Sequence, residues 1–316
     1  MHVVTFSQIR DLRISPRVCL RWVEEAIRAK PTAQLPSKVS LKPMERSFCN
    51  VMPSLVWVDG KRWGGVKVVT RYPGKTPSLQ SQILLFDAET GQMVAFMDAD
   101  WITAMRTGAV AVHSIGLLAK QEFSTLAFMG LGNTARATML VLSEQERERP
   151  LKVKLLAYKG QERDFAERFS HVGNMKFETV STYDELVRGS DVVVSAATYL
   201  DRDIAADDAY APGVLVVPIH TRGFTNCDLV FDKVFADDTA HVCHFGYFDS
   251  FRSFAEVSEV VRGEKPGREN DCERIVVYNI GVAMHDVYFA AKIYGMLDAE
   301  ELEVISFGQP EQKFWV

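Results

Sequence analysis

The residues with the plainest chemical reading sit in one short turn. Gly130-Leu131-Gly132-Asn133-Thr134-Ala135 is a G-x-G-x-x-A segment that follows the apolar run 125–129 and opens a helical pattern over 134–142. Each small residue has a physical task. Gly130 permits a tight reversal, Gly132 lets the backbone approach a pyrophosphate, and Ala135 allows the helix to pack closely on its strand. The amides of Asn133, Thr134 and Ala135 would face the phosphates, with the helix dipole adding to the attraction. The chemistry implied is dinucleotide binding, and the strand–turn–helix context separates the motif from a chance turn.

The next strand candidate, 153–157, bears on the choice of dinucleotide. A carboxylate at its end would hold the ribose hydroxyls of NAD. The chain instead reads Ala157-Tyr158-Lys159-Gly160-Gln161, and Glu162 reads as the first turn of the next helix. Lys159 can pair with a 2′-phosphate, so NADP is expected, with NAD as the alternative. His241, Cys243 and His244 lie close together, but a structural zinc site would need a second spaced cluster, so no metal is expected. The five cysteines are scattered and form no C-x-x-C, which reads as free thiols in a reducing cytoplasm.

These groups need a scaffold. Residues 16–29 carry an amphipathic apolar pattern with proline in the first turn, which predicts a helix. Short strands are expected at 65–70, 82–87 and 92–97, the last two joined by a turn at Glu89-Thr90-Gly91. Their adjacency predicts an antiparallel sheet. A long helix over 100–120, capped by Asp98 or Asp100, should link two halves of the chain. From residue 124 onward, strands at 125–129, 153–157, 176–180, 191–195, 214–217 and 233–236 alternate with helical stretches. That alternation predicts a Rossmann-type doubly wound parallel sheet. A strand at 275–278 and a helix over 282–297 follow, and the chain is expected to return to its first half. The predicted class is α/β, with a mixed α/β substrate-binding and dimerisation domain from 1–112 and 283–316, and a dinucleotide-binding domain over 113–282.

Composition narrows the partners. The chain is 47% hydrophobic and 24% charged, with a net charge of -5. No clustered basic face suggests nucleic acid. No run of about 18 apolar residues suggests a membrane span. The first eleven residues lack an apolar leader, so a cytoplasmic protein is expected.

The segment Asp98-x-x-x-Ile102-Thr103-Ala104-x-Arg106-Thr107-Gly108-Ala109, set before the glycine turn, resembles the hallmark of the ornithine cyclodeaminase/mu-crystallin family. Other stretches match in order. They are Arg46 ahead of Val51-Met52-Pro53, Gly65-Val66-Lys67, Gln92 to Asp98, Val234-Phe235-Ala236-Asp237, and Ile280-Gly281-Val282-Ala283-Met284-His285-Asp286. The resemblance implies a homodimer acting on a small amino or imino acid. It implies that Arg46, Lys67 and Arg106 hold the substrate carboxylate, chemistry that suits guanidinium forks and a compact ammonium. Lys67 and Asp237 become the catalytic candidates, with Asp238 next door to the latter. Thr107, Ser195 and Ala197 are placed near the cofactor. His220 and Asp286 stay unassigned. One departure stands out: family members that cyclise ornithine carry a glutamate where this chain has Asn50, and a neutral amide pairs less strongly with a distal ammonium.

Three outcomes fit. A reductase or dehydrogenase would transfer hydride at the α-carbon with net cofactor turnover. A cyclodeaminase would oxidise, re-reduce and release ammonia. A mu-crystallin-like protein could bind cofactor without chemistry. The presence of Lys67, Arg106 and Asp237 together favours an enzyme.

Overall fold

Buried and half-exposed positions alternate along each strand of residues 61–98, and these strands hydrogen-bond into one sheet. The computed structural model describes residues 1–198, 200–219, 223–308 and 311–314. They form two units: Met1–Arg13, Thr32–Ile102 and the segment from Asp286 onward make the first, and Ile14–Pro31 with Thr103–His285 the second. The first unit holds a seven-stranded sheet in the order Glu303–Val304, His2–Val4, Met93–Asp98, Leu79–Asp87, Lys61–Arg71, Phe48–Val58, Val39–Leu41. Only His2–Val4 and Met93–Asp98 run parallel within it.

Register defines the two faces of this sheet. Met52, Lys67, Ile83 and Met97 lie opposite one another across four strands, and all are buried. A lysine therefore occupies an otherwise apolar row. On the other face Pro53, Val66, Leu84 and Phe96 are in register, and Phe96 is 42% exposed. The strand Phe48–Val58 is absent from the sequence expectations because Pro53 interrupts it. Leu55 exchanges both backbone hydrogen bonds with Gln34. Residue 53, two positions away, turns the same way, so its missing donor falls outside the ladder to Lys61–Arg71.

In the second unit the described residues form an eight-stranded parallel sheet. Its order is Phe254–Glu256, Lys233–Ala236, Ile275–Tyr278, Leu215–Pro218, Val192–Ser195, Thr125–Met129, Leu151–Leu156, Met175–Val180. From Thr125–Met129 the chain winds outward one way, then returns to Val192–Ser195 on its other side. That reversal is the doubly wound switch point, where ligands bind beyond the strands' C-terminal ends.

The helix Pro16–Ala29 forms as expected, with the Ser15 hydroxyl accepting from the Val18 amide. Its contacts place it in the second unit, on the helices Asn133–Gln145 and Val257–Val261. The chain changes unit inside the helices Asp100–Leu118 and Ala283–Tyr294. The expected boundaries, 112/113 and 282/283, fall within or beside those same helices, and a periodic pattern running through a helix offers no local mark of where its partner changes. Among the described residues no helix is long and apolar enough to cross a membrane.

Candidate functional site

The glycine turn is built as its residue types require. Gly130 has φ +75°, and a Cβ there would lie 2.3 Å from the Ala197 nitrogen. Only glycine lets the turn close against the segment after Val192–Ser195, which puts fully buried Ser195 and neighbouring Ala197 beside it. Gly132 is the opposite case: a Cβ there would meet nothing within 4 Å. It is the N-cap of Asn133–Gln145 and makes no side-chain capping bond. The first-turn amides of Asn133, Thr134 and Ala135 thus have no side-chain cap, and Gly132 leaves open space where a pyrophosphate would come. Gly108 locks the neighbouring helix against this one, since its Cβ would fall 2.6 Å from the backbone of Ala137 and Thr138. The turn, Ser195 and Ala197 therefore meet at the switch point, and the site fits a dinucleotide.

Lys159 follows the second strand with φ +53°, exposed, its ammonium 5.2 Å from the centre of the Tyr158 ring. Glu162, the nearest carboxylate in sequence, accepts from the Tyr158 amide at 2.9 Å. That bond holds its carboxyl below the ordinary range and commits it to the turn.

In the first unit, Lys67 is 1% exposed and its ammonium lies 2.7 Å from Asp286 Oδ1, itself 0% exposed. Gly65 makes the meeting possible. A Cβ there would stand 2.8 Å from Val287 Cγ2, so the helix Ala283–Tyr294 presses directly onto the strand. Asp286 is the residue the sequence left unassigned. The available signal was indirect: a lysine within an apolar row needs a carboxylate, whose position only the fold supplies. Asn50 is two residues from Met52, the strand neighbour of Lys67, and its Oδ1 is buried without a hydrogen-bond partner. Arg46 is not drawn into this group. It sits in a turn at φ +58° with its side chain 64% exposed and Glu45 3.7 Å away.

In the second unit, Arg106 and Asp237 converge on one glycine. Gly281 donates its amide to Asp237 Oδ2 at 2.5 Å, and the Arg106 guanidinium packs against the same residue. Thr107 is buried and donates to the Thr103 carbonyl at 2.6 Å. Asp238, the neighbour that clouded the sequence assignment, pairs with Lys30 at 2.8 Å and caps the Ala240 amide. Lys30 also meets Glu256 at 2.7 Å. Burial alone would raise the Glu256 carboxyl, but Lys30 and the Thr239 donors hold it below its usual range. Asp237 and Asn279, each with a buried Oδ1 that accepts no hydrogen bond from the described residues, help line a cavity of about 10 Å³, the space of one water. His220 lies outside the described residues. Among the described residues, no three His, Cys, Asp or Glu side chains come together as a metal site would require.

The profile of the ornithine cyclodeaminase/mu-crystallin family matches residues 2–301. The nodulation efficiency protein NfeD of Rhizobium meliloti is 28% identical over 286 residues, 84% of this chain and 85% of that protein. Ketimine reductase mu-crystallin of Mus musculus is 28% identical over 265 residues, 79% of this chain and 80% of its own length. The fold is shared with Thermococcus litoralis Δ1-pyrroline-2-carboxylate reductase, solved with NADH and L-proline. That match has a TM-score of 0.80 at 24% identity and covers 93% of this chain and 97% of that one.

Proposed function

The chain belongs to the ornithine cyclodeaminase/mu-crystallin family, and from that premise we propose that it is an NADP-preferring oxidoreductase that reduces the imine of an α-amino acid. The relatives named for ketimine and pyrroline-carboxylate reduction support this substrate class. The observation that carries the reading is the fully buried Lys67–Asp286 pair. Cofactor binding alone does not call for a desolvated ion pair in the first unit, whereas a substrate carboxylate and imine nitrogen do.

The dinucleotide supplies the hydride when bound. Gly130, Gly132 and the amides of Asn133, Thr134 and Ala135 would hold its pyrophosphate, Ser195, Ala197 and Thr107 would lie toward its nicotinamide, and Lys159 would pair with a 2′-phosphate. Lys67, Arg106 and, from its exposed turn, Arg46 bind the carboxylate. Hydride addition to the C=N carbon leaves the nitrogen needing one proton. The Lys67 ammonium, its charge balanced by Asp286, is the donor this chain offers.

The apolar row Pro53–Val66–Leu84–Phe96, with Trp57 41% exposed at its margin, supports a homodimer paired through this sheet face. Five free thiols accord with a reducing cytoplasm. Absorbance at 340 nm, followed while cyclic and open-chain imino acids are offered with NADPH, tests the activity. Net oxidation of NADPH is expected. Ammonia release from ornithine without net absorbance change would instead establish a cyclodeaminase. Tight NADPH binding with neither activity would establish a binding protein.

A further inference from the structure

We propose that Asp237 and Gly281 act together as positioning residues that set the Arg106 guanidinium for the substrate carboxylate. This rests on the reading of Arg106 as a carboxylate-binding group. The sequence casts Asp237 as the proton-handling acid, and its surroundings assign it different work.

The geometry begins at Gly281, which has φ +94°, a backbone conformation that side-chain-bearing residues rarely adopt. A Cβ there would lie 2.9 Å from Arg106 Nη1, 3.2 Å from Nη2 and 3.5 Å from Cζ. Both terminal nitrogens lie nearer than Cζ, so the guanidinium turns its Nη1/Nη2 edge toward the glycine. A methyl group at 281 would push it away. The peptide on which Arg106 rests is itself fixed, because the Gly281 amide donates to Asp237 Oδ2. A hydrogen bond from an amide to a buried carboxylate is among the stronger kinds.

Asp237 is in turn held from several sides. Its amide donates to the Tyr278 carbonyl at 3.1 Å, and its carbonyl accepts from Lys30 at 2.7 Å. Lys30 is bound to Asp238 and Glu256, so the whole strand end is anchored. A proton-transferring acid needs an oxygen directed at its substrate. Here Oδ2 accepts from Gly281 and Oδ1 lies 3.6 Å from His241 Nδ1, so both oxygens are turned to the protein's own groups. The carboxylate acts through Gly281 on Arg106.

The test uses full-length enzyme and the best imino acid from the absorbance screen, with Gly281→Ala, Asp237→Ala, Asp237→Asn and Arg106→Ala. Melting temperature and NADPH Kd report whether each variant is folded. Because displacement of a binding group by about an ångström costs up to 10²-fold, Gly281→Ala and Asp237→Ala should raise KM about tenfold or more. Asp237→Asn keeps an oxygen for the Gly281 amide. It should recover KM to within about threefold of the parent and leave the pH profile of kcat unmoved, as positioning rather than acid–base work requires. Loss of kcat by about 10²-fold in Asp237→Asn would make Asp237 the proton donor and overturn the proposal. An unchanged KM in Gly281→Ala would overturn it as well. If Arg106→Ala leaves KM unchanged, the carboxylate-binding reading itself fails and takes the proposal with it. Should Asp237→Ala not fold, Gly281→Ala and Asp237→Asn decide the matter.

Discussion

Replacing Asp286 with alanine takes a counterion from a buried lysine. Lys67 is 1% exposed, with its ammonium 2.7 Å from Asp286 Oδ1. Removing one partner of a buried ion pair costs about 3–5 kcal/mol, because the remaining charge keeps its desolvation cost and loses its counterion. At roughly 2–4 °C per kcal/mol for a large domain, Asp286→Ala should melt about 6–20 °C below the parent. Lys67→Met should behave alike, leaving a buried carboxylate instead. The double variant Lys67→Met/Asp286→Leu removes both charges and fills the space with apolar groups. It should melt well above either single variant, with the two effects failing to add by about 2 kcal/mol or more. Calorimetry at neutral pH measures the three transitions, and NADPH Kd checks that the second unit is intact. Lys67→Met and the double variant should lose imine reduction, stable or not, since the ammonium proposed to meet the substrate is gone. A single variant melting within a few degrees of the parent, or a double variant as unstable as the sum of the singles, would refute the claim that this pair is desolvated and coupled.

The other predictions follow the same logic. Lys159→Ala should raise the KM for NADPH by about 10–100-fold, the worth of one charge-assisted contact to phosphate, and leave that for NADH nearly unchanged; an equal effect on both would remove Lys159 from cofactor choice. Gly132→Ala should fold normally yet bind dinucleotide more weakly, whereas Gly130→Ala should fail to fold stably, because its Cβ meets the backbone of Ala196 and Ala197; matched melting temperatures in the two would contradict this. Burial pushes the Asp228 carboxyl up to about 6, although it accepts from the Tyr278 hydroxyl. Its protonated form is favoured on folding, so stability falls as pH rises from about 4 through 6, by on the order of 2–3 kcal/mol. Asp228→Asn should therefore melt above the parent at pH 7.5 and coincide with it near pH 4, and a gap that does not change with pH would exclude this cause. Phe96→Asp should convert a dimer to a monomer in sedimentation velocity.

Much of the second unit was legible because its signals are local. The alternation of strands and helices, the small residues of the glycine turn, and the missing carboxylate before Lys159 each have a reason within a few residues of themselves. The first unit was harder. Phe48–Val58 is a strand despite Pro53, because the partner on that side is short and leaves the backbone of residue 53 outside the ladder. Residues 55–58 do not alternate in character, since both faces are apolar: one lies toward the core and the other carries Trp57, 41% exposed. Periodicity cannot report which apolar face will be covered. The Pro16–Ala29 helix was plain, but its place in the second unit depends on helices more than a hundred residues away.

The candidate site divides along the same line, and the division bears on function. The turn geometry of Gly130 and Gly132 could be expected from residue type alone. Lys67, Arg106 and Asp237 could be noticed but not explained, because their partners are Asp286 and Gly281, distant in sequence. Those partners distinguish an enzyme from a cofactor-binding protein. A dinucleotide needs the turn and the sheet edge, all within the second unit. It does not need a lysine in the row Met52–Lys67–Ile83–Met97, where an apolar residue of similar size would pack with less desolvation. Nor does it need a left-handed glycine against which a guanidinium lies. Both features cost stability, and the proposed function gives each cation a use, a substrate carboxylate to bind. A chain that only held NADP could shed them without loss. Their presence together is the physical argument that this fold still performs chemistry on an anionic, carboxylate-bearing substrate.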